Sequence, residues 1–202
     1  LIAGAMLEKI MGKPFEQLLR EEIFSPMGLH TAGFGPPVKF DSENQPVGHS
    51  GFFRAVHPGD FPDYMAPTAV IHISIKDWAK FILVHLGSGG NAGVVLETDT
   101  LRTLHSPPDS SIWRAGAEEK GYGIPSLNYA LGWYILDIDK KEGLLWHPGG
   151  NTGFIAQVVV DPKRKNAVLL ATNVRASHNH LFKTINRIKA HYSSLADLPG
   201  IE

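Results

Sequence analysis

Cysteine is absent from all 202 residues, which excludes a disulfide framework, a thiolate metal site and a cysteine nucleophile. The same absence fits an oxidising or a reducing compartment equally. An excess of either charge is missing too. Lys plus Arg number 19 against 20 Asp plus Glu, for a formal net charge of -1, so no field draws a nucleic acid or an anionic membrane to the chain. No apolar run approaches the roughly 20 residues that span a bilayer, because Asp, Glu or Lys interrupts each candidate. Glu8 and Lys9 likewise cut the first apolar run too short for a signal peptide. The ten histidines include no His-Glu-x-x-His, and His178-Asn179-His180 has no carboxylate at ligand spacing, so neither a metal nor any other cofactor is expected. There is no internal repeat and no low-complexity segment.

What is present is enough apolar residue, 43%, to bury a core of one domain or of two small, closely packed ones. Ile2, Met6, Ile10 and Met11 follow helical spacing from the first residues, and this start inside an element predicts a fragment. Gly12 is placed to stop that helix, and Pro14 suits the first position of a second one carrying Phe15, Leu18, Leu19 and Phe24. Ser25 to Pro67 reads as a long ordered loop region. Ser74 is an N-cap for a helix whose face is Trp78, Phe81, Ile82 and His85, with Gly87 ending it, and Thr98 opens a shorter helix through Leu101 and Leu104.

Beyond Pro125 the pattern turns strand-like over Ala130–Ile138, Leu144–His147, Phe154–Asp161 and Ala167–Thr172, with 161–166 a charged, solvated hairpin loop. Leu181, Ile185, Ile188 and Tyr192 mark an amphipathic C-terminal helix. Helices followed by an antiparallel meander and a final helix predict an α+β fold: a helical, loop-rich subdomain over 1–125, then a sheet flanked by helices over 126–202.

The segment Trp146-His147-Pro148-Gly149-Gly150-Asn151-Thr152-Gly153-Phe154 is the strongest candidate site. Its glycines permit close backbone approach by a ligand, which an exposed N–H would bond, and His147 titrates near neutral pH. On these residues alone, an ordinary hairpin whose glycines only make the turn is the commoner case.

Several separated segments, however, resemble serine β-lactamase-like proteins in the same order, especially the class C, D-Ala-D-Ala carboxypeptidase and esterase branch. Leu1–Leu29 resembles that family's helical stretch, ending in Ile23-Phe24-Ser25-Pro26-Met27-Gly28-Leu29 with Thr31 matching the threonine that follows. Ala66-Pro67 and then Ser74-Ile75-Lys76-Asp77-Trp78-Ala79-Lys80-Phe81 resemble A-P-x-G-G-(L/M)-x-S-(T/S)-x-x-D-(L/M)-x-(K/R)-F, with Thr68-Ala69-Val70 where the glycine pair stands. Tyr129-Ala130-Leu131-Gly132-Trp133 resembles Y-G-L-G-W, and His147-Pro148-Gly149-Gly150 resembles H-x-G-G, the counterpart of K-T-G.

The family's nucleophile is the serine of Ser-x-x-Lys, faced by Tyr-x-Asn. Neither motif occurs in this sequence, and Ser42-Glu43-Asn44, Ser126-Leu127-Asn128 and Ser177-His178-Asn179 match only a loose Ser-x-Asn. The resemblance therefore implies the C-terminal, N-terminally truncated portion of a serine hydrolase, nearly inactive alone and lacking its N-terminal segment as a partner. In that reading His147 binds a substrate carboxylate or assists proton movement, and the N–H of Gly150 is an oxyanion donor. Gly149 lets the strand approach the acyl group, while Asn151 and Thr152 line the cleft edge. A β-lactam, a D-Ala-D-Ala peptide or a small ester is the implied substrate, and the family's habit leans toward a periplasmic or secreted setting. His49, Ser50, His57, Asp60, Asp63 and Tyr64 are candidates for shaping specificity from the long loop. Two other readings stay open: a non-catalytic relative binding a peptide or cell-wall fragment, and a plain structural domain.

Overall fold

A computed structural model of the chain describes residues 1–36, 46–50, 61–87, 96–107, 127–136, 143–174 and the positions 180, 183, 184 and 187. Helix α1 (Ile2–Met11) stops at Gly12, whose φ of 65° is the left-handed conformation that glycine adopts without a Cβ penalty. Pro14 serves as N-cap, one position earlier than expected, to α2 (Phe15–Leu19), which runs into a π-helical turn over Arg20–Phe24. Gly4 lets α1 approach the start of α3 (Ala66–Ala69), because a Cβ there would stand 2.5 Å from Pro67 Cγ. The apolar face of α1 is largely exposed. Ile2 is 79%, Met6 58% and Ile10 73% exposed.

The long loop region is more structured than its sequence suggests. Met27 and Leu29 are buried with Phe24 and Val84 in one core cluster, and β1 (Gly33–Phe34) pairs antiparallel with β2 (Ile71–His72). A 3-10 turn over Asp63–Met65 leads into α3. Helix α4 (Ile75–His85) begins as predicted, with the Ser74 hydroxyl accepting from the Asp77 N–H, and Gly87 lies just past its end at φ 68°. Helix α5 covers Thr98–His105.

The main sheet has five antiparallel strands in the order β3-β4-β5-β6-β7. Two strand expectations are corrected. Ala130 does not open a strand that runs to Ile138: β3 (Leu127–Tyr129) and β4 (Tyr134–Leu136) are separated by a turn in which the Ala130 N–H bonds the Trp133 carbonyl at 2.7 Å and Gly132 sits at φ 88°. The glycine there reverses the chain between two apolar runs that periodicity alone joins. The second strand does not stop at His147. β5 runs Leu144–Asn151 and pairs along its length with β6 (Phe154–Asp161), so Gly149 and Gly150 lie inside the strand and only Thr152 and Gly153 make the turn.

β7 (Asn166–Thr172) completes the sheet after the 161–166 hairpin, where buried Asp161 accepts from the Arg164 N–H at 3.0 Å and pairs with its guanidinium at 2.9 Å. Ile82 and Leu86 of the α4 region pack on Trp133, Leu145, Val158 and Val160, with Trp78 and Phe81 beside them, as expected of core positions. His180, Lys183, Thr184 and Arg187 are helical, while Leu181, Ile185, Ile188 and Tyr192 lie outside the described residues. Among the described residues no helix is long and apolar enough to cross a membrane. Helices with an antiparallel sheet make the chain α+β, as its sequence predicts.

Candidate active site

β5 has two different edges. Toward β6 it is paired from Leu145 to Asn151, but toward β4 it is paired only over Leu144, Leu145 and Trp146. Among the described residues, His147 to Gly150 therefore present a strand edge that no strand pairs, beyond the last β4 pairing. A two-residue turn with Thr152 at φ 46° and Gly153 at φ 82° is of the type I′ kind, which makes Asn151 and Phe154 the hydrogen-bonded closing pair. Alternation of the ladder then turns the N–H and C=O of Gly150 away from β6, toward the open edge. Pro148 falls in the same outward class. Its missing N–H costs nothing there, which explains a proline inside an eight-residue strand.

Gly149 and Gly150 are both exposed, and a Cβ built on Gly149 meets nothing within 4 Å. A ligand extended along this edge would find open space at Gly149 and a donor at Gly150. The half-buried His147 ring stands next to the last β4 pairing, its centroid 5.8 Å from that of Tyr134, and its Nε2 lies 3.4 Å from the hydroxyl of Tyr129. Burial pushes His147 below the ordinary histidine value, an effect that a bond to the Pro148 carbonyl partly offsets. Burial, and then Tyr134, push the Tyr129 phenol above its ordinary value. At neutral pH both groups are uncharged.

The other two residues expected at the cleft edge hold the hairpin tip in place. The Asn151 amide donates to the Ala69 carbonyl of α3 at 3.0 Å, and the Thr152 hydroxyl donates to the Asn151 side-chain oxygen at 2.6 Å. Residues 46–50 close over the same tip: the His49 N–H bonds the Asn173 carbonyl at 2.7 Å, and a Cβ on buried Gly48 would overlap the Thr152 carbonyl. Asp63 and Tyr64 are exposed on the 3-10 turn and Ser50 is exposed, while His57 and Asp60 lie outside the described residues, as do 42–44 and 177–179. No group of three or more His, Asp or Glu able to hold a metal occurs among the described residues.

Two features escaped the sequence reading. Tyr129 was singled out only as part of a motif, and its contact with His147 depends on strand pairing. Thr31, Ser74, Asp77 and Lys80 form one hydrogen-bonded cluster: the buried Asp77 carboxylate accepts from the Thr31 N–H at 2.8 Å, the Thr31 hydroxyl at 2.7 Å and Lys80 at 2.6 Å, and Lys80 also donates to the Gly28 carbonyl at 2.6 Å. These bonds, from Lys80 first and then Thr31, hold Asp77 down at about 2. They fasten the chain after α2 to the first turns of α4.

The sequence matches the model of the family described as Beta-lactamase over residues 1–192, and the chain belongs to that family. An unguisins hydrolase of Aspergillus violaceofuscus is 22% identical over 206 residues, an alignment covering 89% of this chain and 34% of that protein. A β-lactamase/D-alanine carboxypeptidase from Pseudomonas syringae shares the fold with a TM-score of 0.69 at 13% identity, over 94% of this chain and 57% of that one. A class C β-lactamase does so with a TM-score of 0.65 at 17% identity, over 98% of this chain and 55% of the other. The chain thus spans between a third and somewhat over half of these proteins' lengths.

Proposed function

We propose that this chain supplies one wall of the acyl-transfer cleft of a serine hydrolase, and that polypeptide outside these 202 residues supplies Ser-x-x-Lys and Tyr-x-Asn. The observation that carries the reading is the open edge of β5, where Gly150 turns an N–H outward beside the vacant space at Gly149. An amide or ester laid along that edge has its carbonyl oxygen within reach of the Gly150 N–H. The serine hydroxyl then adds to the carbonyl carbon, the amine or alcohol leaves with a proton, and water later cleaves the acyl ester. Residues 1–125 act as the helical subdomain and 126–202 as part of the α/β subdomain.

A neutral His147 suits proton movement better than a charged grip on a carboxylate. The substrate class is an amide or ester: the names of the structural relatives suggest a β-lactam or a D-alanyl peptide, and the sequence resemblance adds a small ester. On this reading the 202 residues alone turn over nothing, since both nucleophile and second oxyanion donor are elsewhere. A second reading, binding without turnover in the same cleft, is favoured by one fact: these residues contain neither Ser-x-x-Lys nor Tyr-x-Asn.

The test is to express the complete reading frame and assay a chromogenic β-lactam, an acyl-D-Ala-D-Ala peptide and a nitrophenyl ester, with mass spectrometry for an acyl adduct. Turnover through an adduct, with kcat/KM reduced about 100-fold or more by His147→Ala, is expected. Saturable binding with no turnover and no adduct selects the second reading.

A further inference from the structure

We infer that Tyr129 is a positioning residue for His147, its hydroxyl donating to Nε2 and so keeping the remaining ring proton on Nδ1. The register brings the two together. Tyr129 is paired with Tyr134, Tyr134 with Trp146, and His147 follows Trp146 just past the last β4–β5 pair. Tyr134 fills the space between them, its ring centroid 4.8 Å from that of Tyr129 and 5.8 Å from that of His147. The Tyr129 hydroxyl is 3.4 Å from Nε2, both residues are half-buried, and the β3–β4 turn at Ala130–Trp133 fixes the strand that carries the phenol.

The direction of the bond follows from the chemistry of the two groups. A neutral imidazole has one donor and one acceptor nitrogen, so the partner of one nitrogen decides the role of the other. A phenol O–H is the stronger donor and a neutral imidazole nitrogen the stronger acceptor of this pair, so Tyr129 donates and Nε2 accepts. With Nε2 accepting from the phenol, the one ring proton of the neutral imidazole sits on Nδ1. Nε2 is left as an acceptor, the form in which His147 takes up a proton, and a neighbour that fixes the tautomer is what a proton-moving histidine requires. The purpose assigned to this arrangement rests on the acyl-transfer reading above; the tautomer itself does not.

Nitrogen-15 NMR of histidine-labelled chain reads the tautomer directly, because the Nδ1 and Nε2 shifts of a neutral ring differ by which carries the proton; His147→Gln assigns the signals. The expected result is a predominantly Nδ1–H ring, with Tyr129→Phe shifting the ratio toward Nε2–H by about fivefold, the worth of one ordinary hydrogen bond. Tyr134→Phe, which keeps the intervening ring, leaves the ratio in place. A predominantly Nε2–H ring in the unsubstituted chain overturns the inference without any variant, as does a ratio unmoved by Tyr129→Phe or moved equally by Tyr134→Phe. Failure of the acyl-transfer reading shows elsewhere, as turnover indifferent to His147→Ala, and leaves the tautomer ratio unchanged.

Discussion

Asp77 and His85 both make the fold sensitive to acid, through different physics. Asp77 is stabilised as a carboxylate by three donors, and its fall from 3.8 to about 2 means that the folded state holds the charged form more tightly than the unfolded chain does. That stability is complete above pH 3.8 and is lost as the pH drops toward 2. Replacing Asp77 with Ala strands the Thr31 N–H and the Lys80 ammonium, and urea denaturation at pH 7 is expected to show a loss of about 2 kcal/mol. His85 is disfavoured as a cation. Burial first, and then His105, whose Nε2 lies 3.0 Å from His85 Nδ1, push it down to about 4 from 6.5. The unfolded chain takes up the proton more readily between those values, so stability is full above pH 6.5 and falls toward pH 4 by up to about 3 kcal/mol. A urea midpoint measured against pH checks this, with His85→Phe expected to flatten the curve between pH 6.5 and 4 while keeping the ring contact to Trp133, now 5.0 Å. Both residues stood in the sequence in plain view, Asp77 in a motif and His85 on a helix face. Their partners, 46 and 20 residues away, did not.

The β5–β6 hairpin shows how one element divides its glycines between stability and access. Gly153 sits at φ 82° with the His49 N–H only 2.7 Å from where a Cβ would be, so Gly153→Ala is expected to lower stability by about 2 kcal/mol or more and to release residues 46–50 from the tip. Gly149 has ordinary strand geometry and open space around its missing Cβ. Gly149→Ala should leave the thermal midpoint within about 2 °C, yet in the complete protein reduce kcat/KM roughly tenfold or more by filling the approach to the Gly150 N–H. Equal losses of stability in the two variants would show that Gly149 is only a folding residue. The helices were legible because their signals are local: a serine three residues ahead of Asp77, and a glycine just past each of α1 and α4. The strand limits were not. Glycine and proline punctuate turns in most sequences, and only pairing with β6 reveals that Pro148, Gly149 and Gly150 continue a strand.

At the scale of the molecule, the largest exposed apolar surface among the described residues is on α1, where Ile2, Met6, Leu7, Ile10 and Met11 are each 47% to 79% exposed. An apolar arc of this size favours contact with a second apolar surface, so sedimentation velocity of the chain is expected to show association rising with concentration, relieved by Ile10→Glu. A single species at all concentrations, identical in the variant, would remove α1 as the cause. Composition by itself settled the absence of disulfide and thiolate chemistry and of a strong charge field, because those need residues or imbalances the chain does not contain. Local spacing and caps determined that α1, α4 and α5 form. The order of four separated motifs pointed to the β-lactamase family, since a shared order is hard to reach by chance. Only the tertiary structure decided that pairing with β4 stops at Trp146 and leaves the edge from His147 to Gly150 open among the described residues, that Tyr129 meets His147, and that Asp77 fastens Thr31 to α4. Each of these depends on which distant strands and segments pair. Pairing is chosen by burial summed over the whole sheet, a quantity that no window along the chain contains.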